Sequence, residues 1–300
     1  MHRSEYPVAF MCRVLGVTSS GYYAWRSRGP SRRAEADRVL QRRIEEIHQA
    51  SRGIYGSPKI HEQLRQEGIR CSRKRVIRLM RCANISSKRK RCYKRTTRRN
   101  AAHPVAPNHL NQQFKAMAPN QVWLADITYI PTGEGWLYLA TIMDLFSRRI
   151  LGWAMDARMT ASLTNKALTM AVNTRQQVPD KLLHHSDRGS QYTSGDYRAL
   201  LGQHKMLASM SGVGNCYDNA PMESFFSLLK TELVHHERYP TRTIARTSIF
   251  EYIESFYNRQ RIHGAISYMT PISFERQWRR TTSITESEPE LAPSMALTLS

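Results

Sequence analysis

The segment 121–131 constrains the fold more than any other. Val122, Leu124, Thr128 and Ile130 occupy one parity, and Trp123, Ala125, Ile127 and Tyr129 the other. Successive strand side chains point to opposite faces, so a strand without a polar face is a central one covered on both sides. Asp126 breaks the pattern in mid-strand, where a carboxylate is costly unless a cation or several donors hold it.

The elements that follow extend this reading. Pro131-Thr-Gly-Glu-Gly135 makes a turn, a second strand runs from Trp136 to about Asp144, and Ile150–Met155 supplies a third. A helix over 160–174, a strand ending at His185, a helix near 194–203, a short strand at 207–210 and a long helix from Asn219 complete the order. Three meandering strands followed by alternating helices and strands make an α/β fold with one mixed sheet.

The residues before the sheet read as all-helical. Two short helices flank Gly16-Val17-Thr18 within 8–28, and three amphipathic helices fill 31–85. Ser57-Pro58 starts the middle one of these three and Gly68 ends it. The last begins after Ser72 and sets Val76, Leu79 and Met80 on one face, with Arg73, Lys74, Arg78 and Arg81 around the rest. Following two helices at helix-turn-helix spacing, it has the form of a recognition helix in a DNA groove.

Charge supports nucleic acid as the partner. The net charge is +21, and residues 1–108 hold 26 Lys+Arg against 7 Asp+Glu. Between Lys88 and Arg99, 8 of 12 residues are basic, beginning with Lys88, Arg89, Lys90 and Arg91. Such a run repels itself and reads as a linker that orders on phosphate. Apolar runs such as Trp136–Met143 are too short to span a bilayer, so no membrane partner is expected. The five cysteines are scattered without a C-x-x-C pair, and Cys82, Cys92 and His103 match no common zinc spacing. A reduced cytoplasmic protein is expected.

The expected organisation is a small helical segment over 1–30, a helix-turn-helix domain over 31–87, a basic linker over 88–115 and an α/β core over 116–240. A helical extension over 241–280 and a Ser/Thr/Glu/Pro-rich disordered tail over 281–300 complete it.

Three acids carry the chemistry. Asp126 lies in the first strand, Asp187 directly follows the fourth, and Glu223 stands in the first turns of the long helix. On that helix Met222, Phe226, Leu229 and Leu233 form the core stripe, while Glu223, Ser227 and Lys230 share the neighbouring one. Singly, each acid has an ordinary reading as a turn former or a helix-dipole partner. Together, and without a nucleophilic Ser or Cys dyad, they suit Mg²⁺ or Mn²⁺, which prefer oxygen ligands. Two such ions can activate a hydroxyl and stabilise the leaving oxygen of a phosphodiester.

The spacing D-x60-D-x35-E, with Lys230 seven residues past the Glu, resembles the retroviral-integrase superfamily core. The strings Trp123-Leu-Ala-Asp-Ile-Thr-Tyr129, His185-Ser-Asp-Arg-Gly-Ser-Gln-Tyr192, Asp218-Asn-Ala-Pro-Met-Glu223 and Tyr257-Asn-Arg-Gln-Arg-Ile-His263 resemble the OrfB-type transposases of the bacterial insertion-sequence family three. The resemblance implies a ribonuclease-H-like mixed five-stranded sheet with flanking helices. It also implies that Asp126, Asp187 and Glu223 are catalytic metal ligands for Mg²⁺, with Mn²⁺ able to substitute, and that Lys230 approaches DNA near the scissile phosphate. The expected partners are the double-stranded terminal inverted repeats, target DNA, and further copies of the chain, at least a dimer when two ends are paired. The upstream-frame product, or a frameshift fusion with it, is a further expected partner, since its helix-turn-helix and leucine-zipper segment is not visible here.

Two other functions share some of these features. A DNA-binding regulator needs the helices but not three acids, and a ribonuclease-H-like nuclease uses the same metal chemistry without joining strands. The basic run 88–99 also reads as a solubilising linker, and Tyr257, Asn258, Arg259, Arg261 and His263 read either as DNA contacts or as a tie between the C-terminus and the core.

Overall fold

The computed structural model describes residues 5–88, 110, 115–211 and 219–287, and the chain divides into two compact units, 1–87 and 88–300.

The first unit is all-helical: α1 (Val8–Val14), α2 (Ser19–Ser27), α3 (Arg32–Ala50), α4 (Ser57–Gln66) and α5 (Arg73–Cys82). Side-chain oxygens of Thr18, Ser31 and Ser72 accept from Gly21, Ala34 and Arg75 N–H at 3.1–3.2 Å, satisfying first-turn donors of α2, α3 and α5. The cap of α4 is Gly56, with Pro58 in the first turn, one residue earlier than the Ser57 start read from the sequence. Gly68 takes a φ of +78° past the end of α4, which a side chain would strain. Leu40, Ile44, Ile47, Ile60, Leu64, Val76, Leu79 and Met80 are buried between α3, α4 and α5. Asp37 on α3 accepts from Arg75 at 2.7 Å and from Arg78 at 2.5 Å, tying α5 down.

The second unit holds β1 (Val122–Thr132), β2 (Gly135–Asp144), β3 (Ile150–Asp156), α6 (Ala161–Arg175), β4 (Leu183–Ser186), α7 (Gly195–Gln203), β5 (Leu207–Met210), α8 (Ala220–Glu232), α9 (Arg242–Glu251) and α10 (Pro271–Ser287). The sheet order is β3-β2-β1-β4-β5, with β1–β2 and β2–β3 antiparallel and β1–β4 and β4–β5 parallel. β1 is therefore central, as its two apolar faces require. Its far half outruns the short β4, however, so Tyr129 is 53% exposed although its parity reads as covered.

Trp123, Ala125, Ala140, Ile142, Leu151, Leu163, Ala167, Leu168 and Tyr197 form the core on one side of the sheet. A Cβ on Gly152 would overlap the backbone of Ala167 and Ala171, so this glycine lets α6 lie directly on β3. On α8, Met222, Phe225, Phe226 and Leu229 are buried, as is Leu233 just past its end, and the helix packs on β1.

α9 runs into a π-helical turn over Tyr252–Tyr257, which buries Tyr252, Ile253, Phe256 and Tyr257. Asn258 then pairs both amide atoms with the backbone of Ile150 at 3.0 Å, replacing a strand neighbour for β3. Arg261 is buried against Glu232. These two positions tie the chain after α9 to the core.

α10 continues through Thr281 to Ser287, inside the stretch expected to be a tail, and residues 288–300 lie outside the described residues. The hydroxyls of Thr281, Thr282 and Ser283 donate to carbonyls four residues back at 2.8–3.1 Å, so the Ser/Thr run is accommodated within the helix.

Candidate active site

Strand register brings two of the acids together. The parallel pairing of Leu124 with His185 sets the next residues of β1 and β4 level, so that Asp126 and Asp187 stand side by side. Neighbouring strands lie about 4.8 Å apart. Asp187 is the first residue past β4, and its Oδ1 accepts from Gly189 N–H at 2.9 Å. A Cβ on Gly189 would stand 3.0 Å from that oxygen and 2.8 Å from the Gln191 side chain, so a larger residue would push against both side chains. Asp126 Oδ1 accepts from Ile127 N–H at 2.7 Å.

The third acid comes from α8. Asn219 precedes the helix, and its Nδ2 donates to the carbonyl oxygen of Ala125 at 3.1 Å. The first turn of α8 is thereby fastened to the residue before Asp126. Glu223 is exposed one turn on, and half-buried Lys230 follows two turns later with Nζ 4.9 Å from the Tyr129 ring centroid.

Electrostatics shows that these groups share one neighbourhood. The Asp126 carboxyl is pushed up to about 8, first by burial and then by the charges of Asp187 and Glu223, against the Ile127 N–H and Lys230, which lower it. Lys230 is shifted down by burial, partly offset by Asp126. The buried Tyr192 hydroxyl is held well above its usual value by burial, by Tyr197 and by the charges of Asp126 and Asp187, and it has no hydrogen-bond partner among the described residues. Thr141, opposite Asp126 on β2, likewise has a buried hydroxyl without a hydrogen-bond partner among the described residues. Among the described residues, no three His, Cys, Asp or Glu side chains stand close enough to hold a metal ion as they are placed.

The adjoining histidines belong to the core. His184 Nε2 meets the Tyr197 hydroxyl at 2.9 Å, and burial followed by the neighbouring His185 lowers its pKa to about 3. His185 bonds the Ser209 and Ser211 hydroxyls at 2.9 and 3.3 Å.

The basic residues separate by position. Arg73, Lys74, Arg78 and Arg81 are exposed on α5, with Arg78 already paired to Asp37. Lys88 donates to the Glu232 carbonyl oxygen at 3.1 Å, at the end of α8. Arg89, Lys90 and Arg91 lie outside the described residues, as do Cys92, His103 and Asp218. Reading the sequence missed Asn219, Tyr129, Tyr192 and Thr141. The Asn219 position is that of a helix cap, and nothing local signals that its amide leaves the helix for a strand.

Comparison with known proteins adds three domain matches: an integrase core domain over 116–216, a second integrase core domain over 223–278, and an HTH-like domain over 34–93. The chain is 47% identical over 270 residues to the insertion element IS600 31 kDa protein of Shigella sonnei, covering 90% of this chain and 99% of that one. It is 41% identical over 278 residues to transposase InsF for insertion sequence IS3fB of Escherichia coli K12, covering 92% and 96%. A simian T-cell lymphotropic virus intasome chain matches with TM-score 0.45 and 15% identity over 86% of this chain and 80% of that one, too distant to add weight. Among the described residues no helix is long and apolar enough to cross a membrane.

Proposed function

Because the chain belongs to the insertion-sequence IS3 transposases, polynucleotidyl transferases with an integrase core, we propose that Asp126, Asp187 and Glu223 are its catalytic carboxylates and together bind Mg²⁺, with Mn²⁺ able to substitute. The observation that carries this reading is the β1–β4 register that sets Asp126 beside Asp187, with the Asn219 bond to Ala125 holding the start of the Glu223 helix against the same strand.

The donor set fits a hard divalent ion. Asp126 and Asp187 meet at one strand end with Glu223 acting on Asp126 from α8, and burial together with these two acids makes the Asp126 carboxyl keep its proton near neutral pH. Asp126 and Asp187 supply the fixed side of the site, their oxygens oriented by the Ile127 and Gly189 N–H groups. Glu223, exposed on α8, is the ligand that has to close. When bound, the metal pair supplies the Lewis acidity that activates water or a 3′ hydroxyl and stabilises the leaving oxygen.

The chain's remaining groups position DNA. Lys230, braced over Tyr129 beside Asp126, takes a phosphate flanking the scissile one. The exposed cations of α5 and the run from Lys88 to Arg91 hold backbone farther along the double-stranded terminal inverted repeats and target DNA. Pairing two ends takes at least two copies of the chain, with the upstream-frame product or the frameshift fusion as a further partner.

The test uses purified full-length protein, Mg²⁺ and a duplex carrying the element's terminal inverted repeat. Asp126→Asn, Asp187→Asn and Glu223→Gln are each expected to cut nicking and strand joining by about a thousandfold or more while duplex binding stays. A variant that nicks at the parent rate overturns the assignment, and parent protein that cuts without ever joining is a nuclease.

A further inference from the structure

A second concentration of charge in the 88–300 unit is separate from the acids. A cavity of about 180 Å³ is lined by Arg149, Arg259, Ile272, Glu275, Arg276 and Arg279, gathered from the β2–β3 turn, the segment after the π-helical turn, and α10. Asn258, clamped on Ile150, fixes the backbone that presents Arg259. The carboxylate on the wall is already saturated: Glu275 accepts from Ser147 at 2.6 Å, from Arg149 at 3.1 Å, and from Arg175 at 2.5 and 2.9 Å. Arg149 Nε is buried without a hydrogen-bond partner among the described residues. Arg259, Arg276 and Arg279 are exposed and form no ion pair among the described residues.

Four guanidinium groups around one neutralised carboxylate repel one another unless an anion enters. Guanidinium forks match phosphate oxygens in pairs, which a point-like ammonium cannot do. Size narrows the ligand, since nucleotide-sized molecules need pockets of roughly 300 Å³ or more. This cavity fits a single phosphate group.

Its place in the fold gives the spacing. Arg149 pairs through its carbonyl with Asp144 N–H at 2.9 Å, and Asp144 stands opposite Trp123, three residues before Asp126 on β1. The component of that separation along the strand is on the order of 10 Å, the length of about three base steps of one DNA strand.

We propose that Arg149, Arg259, Arg276 and Arg279 form a phosphodiester subsite that grips the DNA backbone a few nucleotides from the scissile phosphate. The choice of DNA as ligand rests on the function proposed above.

The experiment measures duplex affinity of the full-length protein against salt, without divalent metal, for parent protein, the variant Arg259→Ala/Arg276→Ala/Arg279→Ala, and a control, Arg158→Ala/Arg198→Ala/Arg238→Ala, whose residues are exposed elsewhere on the same unit. Loss of one phosphate contact makes the slope of log K against log salt shallower by about 0.9, so the loss of affinity between about 50 and 200 mM salt shrinks about three- to fourfold. The control keeps the parent slope. An unchanged slope in the pocket variant, or an equal change in the control, overturns the proposal. Saturable binding of inorganic phosphate that the pocket variant loses, with an unchanged DNA slope, makes this a free-anion site and also overturns it. Glu223→Gln cutting, run in parallel, separates the two readings: abolished cutting with an unchanged pocket slope leaves the enzyme assignment standing and the pocket refuted, and the converse does the reverse.

Discussion

The Asn219 side-chain amide donates to the carbonyl oxygen of Ala125 at 3.1 Å, so the residue before α8 is bonded to the residue before Asp126. This bond fixes the distance between the helix that carries Glu223 and the strand that carries Asp126. Asn219→Ala is expected to lower the cutting rate about ten- to a hundredfold through misplacement of Glu223, while destabilising the fold by only about 1 kcal/mol. Single-turnover cleavage and thermal melting of the same preparation check both numbers.

The raised Asp126 pKa predicts how stability depends on pH. The folded value of about 8 lies above the unfolded value of 3.8, so between them the native chain keeps a proton that the unfolded chain has released. Metal-free protein therefore loses stability as pH rises through this window. Asp126→Asn should flatten that dependence and, at pH 8, stabilise metal-free protein by about 1–2 kcal/mol. Urea titrations across the pH range, with chelator present, provide the measurement.

Mg²⁺ should raise the melting temperature of the parent protein and act less on each acid variant, because a ligand that binds only the folded state stabilises it by mass action. At a concentration one hundred times its dissociation constant the gain is about 2.7 kcal/mol. An equal Mg²⁺ shift in Asp126→Asn or Asp187→Asn would mean the ion binds elsewhere.

The buried pair of Arg261 and Glu232, with nitrogen and oxygen 2.6 Å apart and Tyr252 adding a 2.7 Å hydrogen bond, predicts a structural variant. Arg261→Ala leaves Glu232 as an uncompensated buried charge, a loss of about 3–5 kcal/mol. Restoring neutrality with Glu232→Gln in the same chain should recover part of that stability in chemical denaturation, a recovery not expected if Arg261 acted mainly by touching DNA.

Local pattern made much of this architecture legible. The apolar parities of 121–131 foretell the central strand, and the Met222, Phe226, Leu229 and Leu233 stripe foretells which face of α8 is buried. Serines and threonines that cap helices mark their starts at Ser31 and Ser72. What stayed hidden depends on partners distant in sequence. The exposure of Tyr129 follows from the shortness of β4, and the cap position of Asn219 does not disclose that its amide bonds Ala125. Arg259 and Arg261 are two residues apart in one motif, yet one is exposed on an arginine-lined cavity and the other is buried against Glu232. Only the path of the chain after the π-helical turn separates them. The run into Ser287 was missed because Ser and Thr usually favour turns, whereas here their hydroxyls bond back along the helix.

The convergence of three acids on one metal site is tested most directly by crystallography with Mn²⁺ and end-bearing DNA, using anomalous scattering to place the ions. The account predicts Mn²⁺ between Asp126 and Asp187, with carboxylate oxygens at about 2.0–2.2 Å and Glu223 turned inward to complete the shell. Density for Mn²⁺ elsewhere, with Asp126 still hydrogen-bonded only to Ile127 in a complex that cuts DNA, would contradict it.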